Sequence, residues 1–281
     1  MAEEPRIDAH LHLWQLAQGQ YSWLKPGHGL LYDSFTAGQA HAELSAAKVA
    51  QAILVQADDT AADTEAMLAA AAAHDWIVGV VGWLPLEDPG AAARRLEQWG
   101  RHSAFCGVRT LLHDDPRPGF LDLAPVRRSL ALLARAGVAF GVPDAFPRHL
   151  GQAAAVAREL PELTVVIDHL GKPPRAGSAA EMRAWETQLR AVAALPNTVA
   201  KVSGLHVAGT QFSAGALSRV WEVALEAFGA QRLMFGGDWP VSLAGASYGH
   251  TLAVMSALVG TLSATESHAV WAGTARRIYR L

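Results

Sequence analysis

The sequence holds one cysteine, Cys106, in 281 residues. A disulfide within the chain is excluded, and a reducing compartment fits. Cys106 precedes Gly107-Val108 in an apolar run, which points to buried filler rather than a nucleophile. No stretch approaches the ~18 consecutive apolar residues of a membrane helix; the alanine run Ala69–Ala73 is broken at once by His74 and Asp75. Charge is sparse too: 17% of residues, net −3 at pH 7, with Lys and Arg scattered. That excludes the basic runs of nucleic-acid binders and any membrane partner held by charge. The opening Met1-Ala2-Glu3-Glu4-Pro5 lacks a basic segment followed by an apolar one. No signal peptide is expected, and the protein is expected to be soluble and cytoplasmic. A homo-oligomer is left open.

What is present is a long alternation. Apolar, β-branched runs at Arg6–Ala9, Gln51–Gln56, Ile77–Trp83, Ala104–Leu111, Val138–Val142, Leu163–Ile167, Val199–Ser203 and Arg232–Gly236 read as strands. Between them lie Ala/Leu/Glu/Arg-rich windows that predict helices at about Ala37–Ala47, Ala61–His74, Gly90–Gly100, Ala124–Ala136, Arg148–Leu160, Ala179–Ala194 and Ala214–Gly229, with more helix to Leu281. Thr36, Asp59 or Thr60, and Ser178 are candidate N-caps; Gly137 suits a C-terminal cap. Eight strand–helix units with no gap for a second domain predict one α/β domain, a (β/α)8 TIM barrel over residues 1–281. An open doubly wound sheet is the alternative, but no G-x-G-x-x-G turn follows the first strand. Tyr21 to Phe35 is too long for a tight turn. Its Tyr21, Trp23 and Tyr32 argue for a structured loop over a site.

In such a barrel the site forms where the strands end. Strand one runs out at His10-Leu11-His12; if it continues through them, residues two apart share a face, which sets two imidazoles side by side. Imidazole is a ready metal ligand and general base. The other strand ends add Gln56 and Asp58, Trp83, Arg109 and His113, Asp144, His169, Lys201 and Ser203, and Asp238. A guanidinium inside the apolar run at Arg109 needs an acid or a ligand group as partner. Asp238, directly after Gly236-Gly237, is hard to explain by packing. Trp14, Trp83 and Trp239 are candidates either for the core or for the walls of a sugar-sized pocket, and Trp23 and Tyr32 in the loop suit the apolar faces of a ring.

The runs Ile7-Asp8-Ala9-His10-Leu11-His12, Gly107-Val108-Arg109, Val166-Ile167-Asp168-His169-Leu170-Gly171-Lys172-Pro173, Lys201-Val202-Ser203-Gly204-Leu205 and Phe235-Gly236-Gly237-Asp238-Trp239-Pro240 resemble, in order and over the whole chain, the amidohydrolase-2 family. Within it they resemble the branch of TIM-barrel hydrolases that contains sugar lactonases. The resemblance implies opening of a lactone ring, with Asp238 as general base. It also implies one divalent metal ion, zinc foremost, on His10, His12, His169 and Asp238, which catalysis could dispense with. His169 and Arg109 would then assist catalysis, and Trp14, Trp23, Gln56, Trp83, Arg109, His113, Asp144, Lys201 and Trp239 would contact the substrate. Many members of the wider superfamily carry Lys or Glu on strand four and His on strand five. Here Arg109 and Asp144 stand there, which argues against a bridged metal pair. The expected substrate is a small sugar-acid or carboxylated lactone. Two other readings stay open: a metal-dependent nonoxidative decarboxylase on the same fold, and a non-catalytic barrel that binds a sugar acid.

Overall fold

The computed structural model describes residues 5–17 and 21–281. The expectation about Met1 to Glu4 lies outside them. Eight strands run in chain order: β1 (Ile7–Leu11), β2 (Gln51–Val55), β3 (Ile77–Gly82), β4 (Phe105–Arg109), β5 (Ala139–Val142), β6 (Val165–Ile167), β7 (Thr198–Val202) and β8 (Leu233–Phe235). Each pairs in parallel with the next, in the order one to eight. Between and after them come α1 (Ala37–Ala46), α2 (Ala61–Ala73), α3 (Pro89–Trp99), α4 (Ala124–Ala136), α5 (Leu150–Glu159), α6 (Ala179–Ala193), α7 (Ala214–Phe228) and α8 (Tyr248–Val259). This is the (β/α)8 barrel the alternation predicts. No helix among the described residues is long and apolar enough to cross a membrane.

The local reasons are in the caps. Thr36 accepts from Gln39 N–H at the start of α1, and Ser178 accepts from Glu181 N–H at the start of α6. Thr60, not Asp59, caps α2. Gly137 ends α4 in the left-handed conformation, φ +64°. The strands differ from expectation at their ends. β3 and β4 stop early because side chains take the next amides: Trp83 N–H donates to Thr64 Oγ1 (2.9 Å), and Leu111 N–H donates to Asp59. β1 runs two residues further than expected because its C-terminal half is paired from the far end of the chain. Asp238 N–H donates to His10 O (2.8 Å), and His12 N–H donates to Trp239 O (2.7 Å). These bonds close the barrel at its mouth.

A bulge lies in β1. Asp8 aligns with Ala52 and Leu11 with Leu54, so β1 spends one residue more than β2 over this stretch. Bulges re-aim side chains. Ile7 and Ala9 join the interior layer with Ile53, Val55, Val81, Cys106, Val166, Val199 and Met234, while Leu11 joins the outer core between strands and helices. Ala272, Ala275 and Tyr279 of the C-terminal helical segment plug the interior from below. Cys106 is part of this filling, as the apolar run around it implies, and burial pushes its thiol up to about 12. Truncating Tyr279 would open a cavity and cost roughly 3–5 kcal/mol.

Candidate active site

The mouth holds a cavity of about 660 Å³, lined among others by His12, Trp14, Trp23, Arg109, Asp144, His169, Lys172 and Asp238. Its floor is built on β1. His12 Nδ1 donates to Val55 O (2.8 Å), which leaves Nε2 with its lone pair. That nitrogen lies 3.1 Å from His10 Nε2. Asp238 Oδ1 is 3.4 Å from His12 Nε2 and 3.6 Å from His10 Nε2. The three atoms form a nearly equilateral triangle. A tetrahedral ion with ligands at ~2.0–2.2 Å has donor–donor edges of roughly 3.3–3.6 Å, so this set fits one divalent metal.

His169 is not part of that triangle. Its Nδ1 is fixed by Ser203 Oγ (2.9 Å) and its ring lies 4.6 Å from that of His10. Of the four expected donors, three come together in this triangle, with His169 beside them on the cavity wall. The close seat against Ser203 requires Gly204: a Cβ there would land on His169 Nδ1, and its φ of +55° suits glycine. Gly237 answers a similar need. A Cβ on it would lie 2.5 Å from Asp8 Oδ2. Asp8, fully buried, accepts from His10 N–H (2.9 Å), Gly237 N–H (2.8 Å) and Tyr248 Oη (2.9 Å), so it clamps the two chain ends that carry His10 and Asp238. Asp144 (φ +40°), His169 (φ +56°) and Asp238 (φ +54°) all sit in the left-handed region, a strain of roughly 1–3 kcal/mol each that gathers at functional sites.

Beneath the cavity lies a buried charge network. Arg109 Nη1 is 3.3 Å from Asp168 Oδ2 and 3.2 Å from His10 Nε2; Nη2 donates to Gln56 O (2.6 Å) and Oε1 (3.2 Å). Lys201 Nζ lies 3.3 Å from Asp168 Oδ1 and 3.4 Å from His10 Nδ1. Burial opposes the charge on Asp168, but Lys201, His10 and Arg109 hold its carboxyl well below the usual range. Burial, reinforced by Lys201, pushes His10 well below the ordinary imidazole value, and burial also lowers His169. Both shifts favour the neutral imidazole, the form that a metal ligand needs. Burial would raise Asp238, yet the neighbouring His169, His12 and His10 outweigh it and keep the carboxylate ionised.

The remaining expected residues divide. Trp14, Trp23, His113 and Asp144 line the cavity. Gln56 and Lys201 are buried below it, where they hold Arg109 and Asp168. Trp83 borders a separate cavity of about 360 Å³ beyond Leu111, because β3 stops before it. Trp239 is 3% exposed and packs on Phe35, 5.3 Å between ring centroids; its backbone, not its ring, serves the mouth. Four contributors were missed. Asp59 accepts from Gln56 Nε2 (2.7 Å) and Thr110 Oγ1 (2.7 Å) and so turns the Gln56 carbonyl to Arg109. Lys172, 3.6 Å from Asp144, and His28 both line the cavity, and Asp8 is the clamp. Asp8 and Lys172 stood within motif runs already singled out. In sequence Asp59 reads only as a candidate helix cap, and His28 lies unremarked within the Tyr21–Phe35 loop.

Fold and site together define the class: a (β/α)8-barrel hydrolase with a candidate metal centre at its mouth. The chain belongs to the amidohydrolase family, whose profile matches residues 7–281. The L-fucono-1,5-lactonase of Burkholderia multivorans is 34% identical over 288 residues, covering 98% of this chain and 96% of that protein. Two crystal structures of an amidohydrolase from Burkholderia multivorans, one with bound HEPES and one with bound zinc, superpose with a TM-score of 0.89 at 34% identity over 99% of both chains. A 2,6-dihydroxybenzoate decarboxylase from Rhizobium, 16% identical with a TM-score of 0.66 over 99% of both chains, shares the fold alone.

Proposed function

We propose that this protein hydrolyses the ester bond of a small, uncharged, polyhydroxylated lactone. The observation that carries the reading is the Asp238 carboxylate facing the cavity beside two imidazoles, in a chain similar throughout its length to an L-fucono-1,5-lactonase. Both Arg and Lys side chains on the cavity wall are already matched by acids, Arg109 by Asp168 and Lys172 by Asp144. A substrate carboxylate would have to break one of these pairs, whereas hydroxyls can share them. Trp14 and Trp23 offer apolar faces to the ring.

The residues divide the work of ester hydrolysis. Asp238 orients a water and takes its proton as the oxygen attacks the carbonyl carbon. His169, from the wall, donates toward the oxygen on which negative charge develops, and the positive charge of Arg109 lies beneath it. When the ring C–O bond breaks, the alkoxide stays tethered to the product and the proton held by Asp238 can return to it. A divalent ion held by His10 Nε2, His12 Nε2 and Asp238 would supply Lewis acidity and bring the pKa of a bound water towards ~7. The buried Nε2 atoms of His10 and His12, set beside the Asp238 carboxylate, are the donors such an ion requires.

The test is a panel of lactones followed with a pH indicator, with and without chelator. Turnover of neutral sugar lactones, at least tenfold better than of carboxylated ones, is expected. No turnover of any lactone, with ligand binding retained, would instead indicate the sugar-acid-binding barrel, and carbon dioxide release from a dihydroxybenzoate would indicate the decarboxylase. The single buried cysteine suits a cytoplasmic enzyme. Sizing of the purified chain would show whether it forms a homo-oligomer.

A further inference from the structure

The metal triangle has a competitor built into it. The unprotonated nitrogen of a neutral imidazole has one in-plane lone pair; with His10 Nδ1 turned toward Asp168 Oδ1 (3.6 Å) that nitrogen is Nε2, which Arg109 Nη1 approaches at 3.2 Å. The same atom is one corner of the His10, His12, Asp238 donor set. A metal–nitrogen bond of ~2.0–2.1 Å and an N–H hydrogen bond cannot both use that pair. Arg109 is also anchored elsewhere. Its Nη2 is held by Gln56, whose amide is turned by Asp59, and its Nη1 also reaches Asp168 at 3.3 Å. It can therefore give up His10 while keeping its other partners.

We propose that Arg109 is an internal competitor for the divalent ion: it occupies the His10 Nε2 lone pair and so sets a weak, reversible metal affinity. The inference rests on the His10, His12, Asp238 reading of the metal site, and its test separates the two. Zinc chloride is titrated into the metal-free full-length protein, by calorimetry and by competition with a chromogenic chelator. In Arg109→Met, which removes the N–H donor and the charge but keeps the length, zinc is expected to bind at least about tenfold more tightly, the usual scale of a charge-assisted hydrogen bond. Lys172→Met removes a charge from the same cavity without touching His10 and is expected to change affinity less than about threefold. Arg109→Lys keeps the buried charge with a shorter arm and covers the case in which the methionine variant fails to fold; it too is expected to bind more tightly. Unchanged zinc affinity in folded Arg109 variants, with binding lost in His12→Ala, would overturn the competition while leaving the metal site standing. Zinc binding that His12→Ala does not weaken would overturn both.

Discussion

Asp238 Oδ1 lies 3.4 Å from His12 Nε2, although 226 positions separate the two in sequence and they come from the first and last strand ends. The contact exists because the barrel closes between β1 and β8, and because Asp8 holds both ends through three hydrogen bonds. The site is thus a product of closure, and the parts that enforce closure are as testable as the parts that face substrate.

The seat of His169 gives a first prediction. Gly204→Ala puts a methyl on His169 Nδ1 at a position with φ +55°. The imidazole must leave Ser203, and kcat should fall at least tenfold. The backbone strain of roughly 1–2 kcal/mol should lower Tm by only a few degrees. Thermal melts run beside steady-state rates check this; a normal kcat would show that the orientation of His169 does not matter to the reaction.

The loop from Tyr21 to Phe35 gives a second. Trp23 is fixed over the cavity by its Nε1–H bond to Ala57 O (2.7 Å) and by edge contact with Trp14, 5.5 Å between centroids. Trp23→Ala should raise KM for the true substrate by about tenfold, the scale of one lost aromatic face, and should leave a minimal unsubstituted lactone almost unaffected. Equal effects on the two substrates would make the loop merely structural.

How much of this was legible in the sequence follows from where the information lies. The eight strands and the helices between them are written in local periodicity, and the strand-end rule collected His10, His12, Arg109, His169 and Asp238 without any structure. What failed depends on partners distant in sequence. β1 extends to Leu11 only because residues 238 and 239 bond to it. The bulge that lets Ile7, Ala9 and His10 all serve the interior has no local signature. Trp239 could not be assigned to wall or core from its neighbours, since Phe35, which covers it, is 204 positions away. Asp59 had the right residue type for a cap, and Thr60 took that role because Asp59 was needed across the barrel at Thr110.

A third prediction concerns pH. Burial pushes Asp63 up from 3.8 to about 7; it accepts from Ala57 N–H (3.0 Å) and Tyr21 Oη (3.4 Å) beneath the loop. The folded state therefore binds this proton more tightly than the unfolded chain. Its contribution to stability is full below pH 3.8 and is lost as pH rises through 7. The loss corresponds to roughly 4 kcal/mol. Asp63→Asn cannot ionise, so its stability relative to the wild type should improve steadily between pH 4 and pH 8. Urea unfolding of both proteins across that range is the check, and a pH-independent difference would contradict the buried-acid account.

The most direct measurement is kcat of Asp238→Asn on a neutral sugar lactone, with bound zinc determined on the same samples. The variant keeps the side chain's shape and removes its capacity to take a proton. As general base, Asp238 should account for ~10²–10⁴-fold in kcat, with Tm close to wild type. Zinc content that falls together with the rate would assign Asp238 a share in metal binding as well. Retention of more than about a tenth of the wild-type kcat, far above the general-base expectation, would contradict the mechanism at its centre.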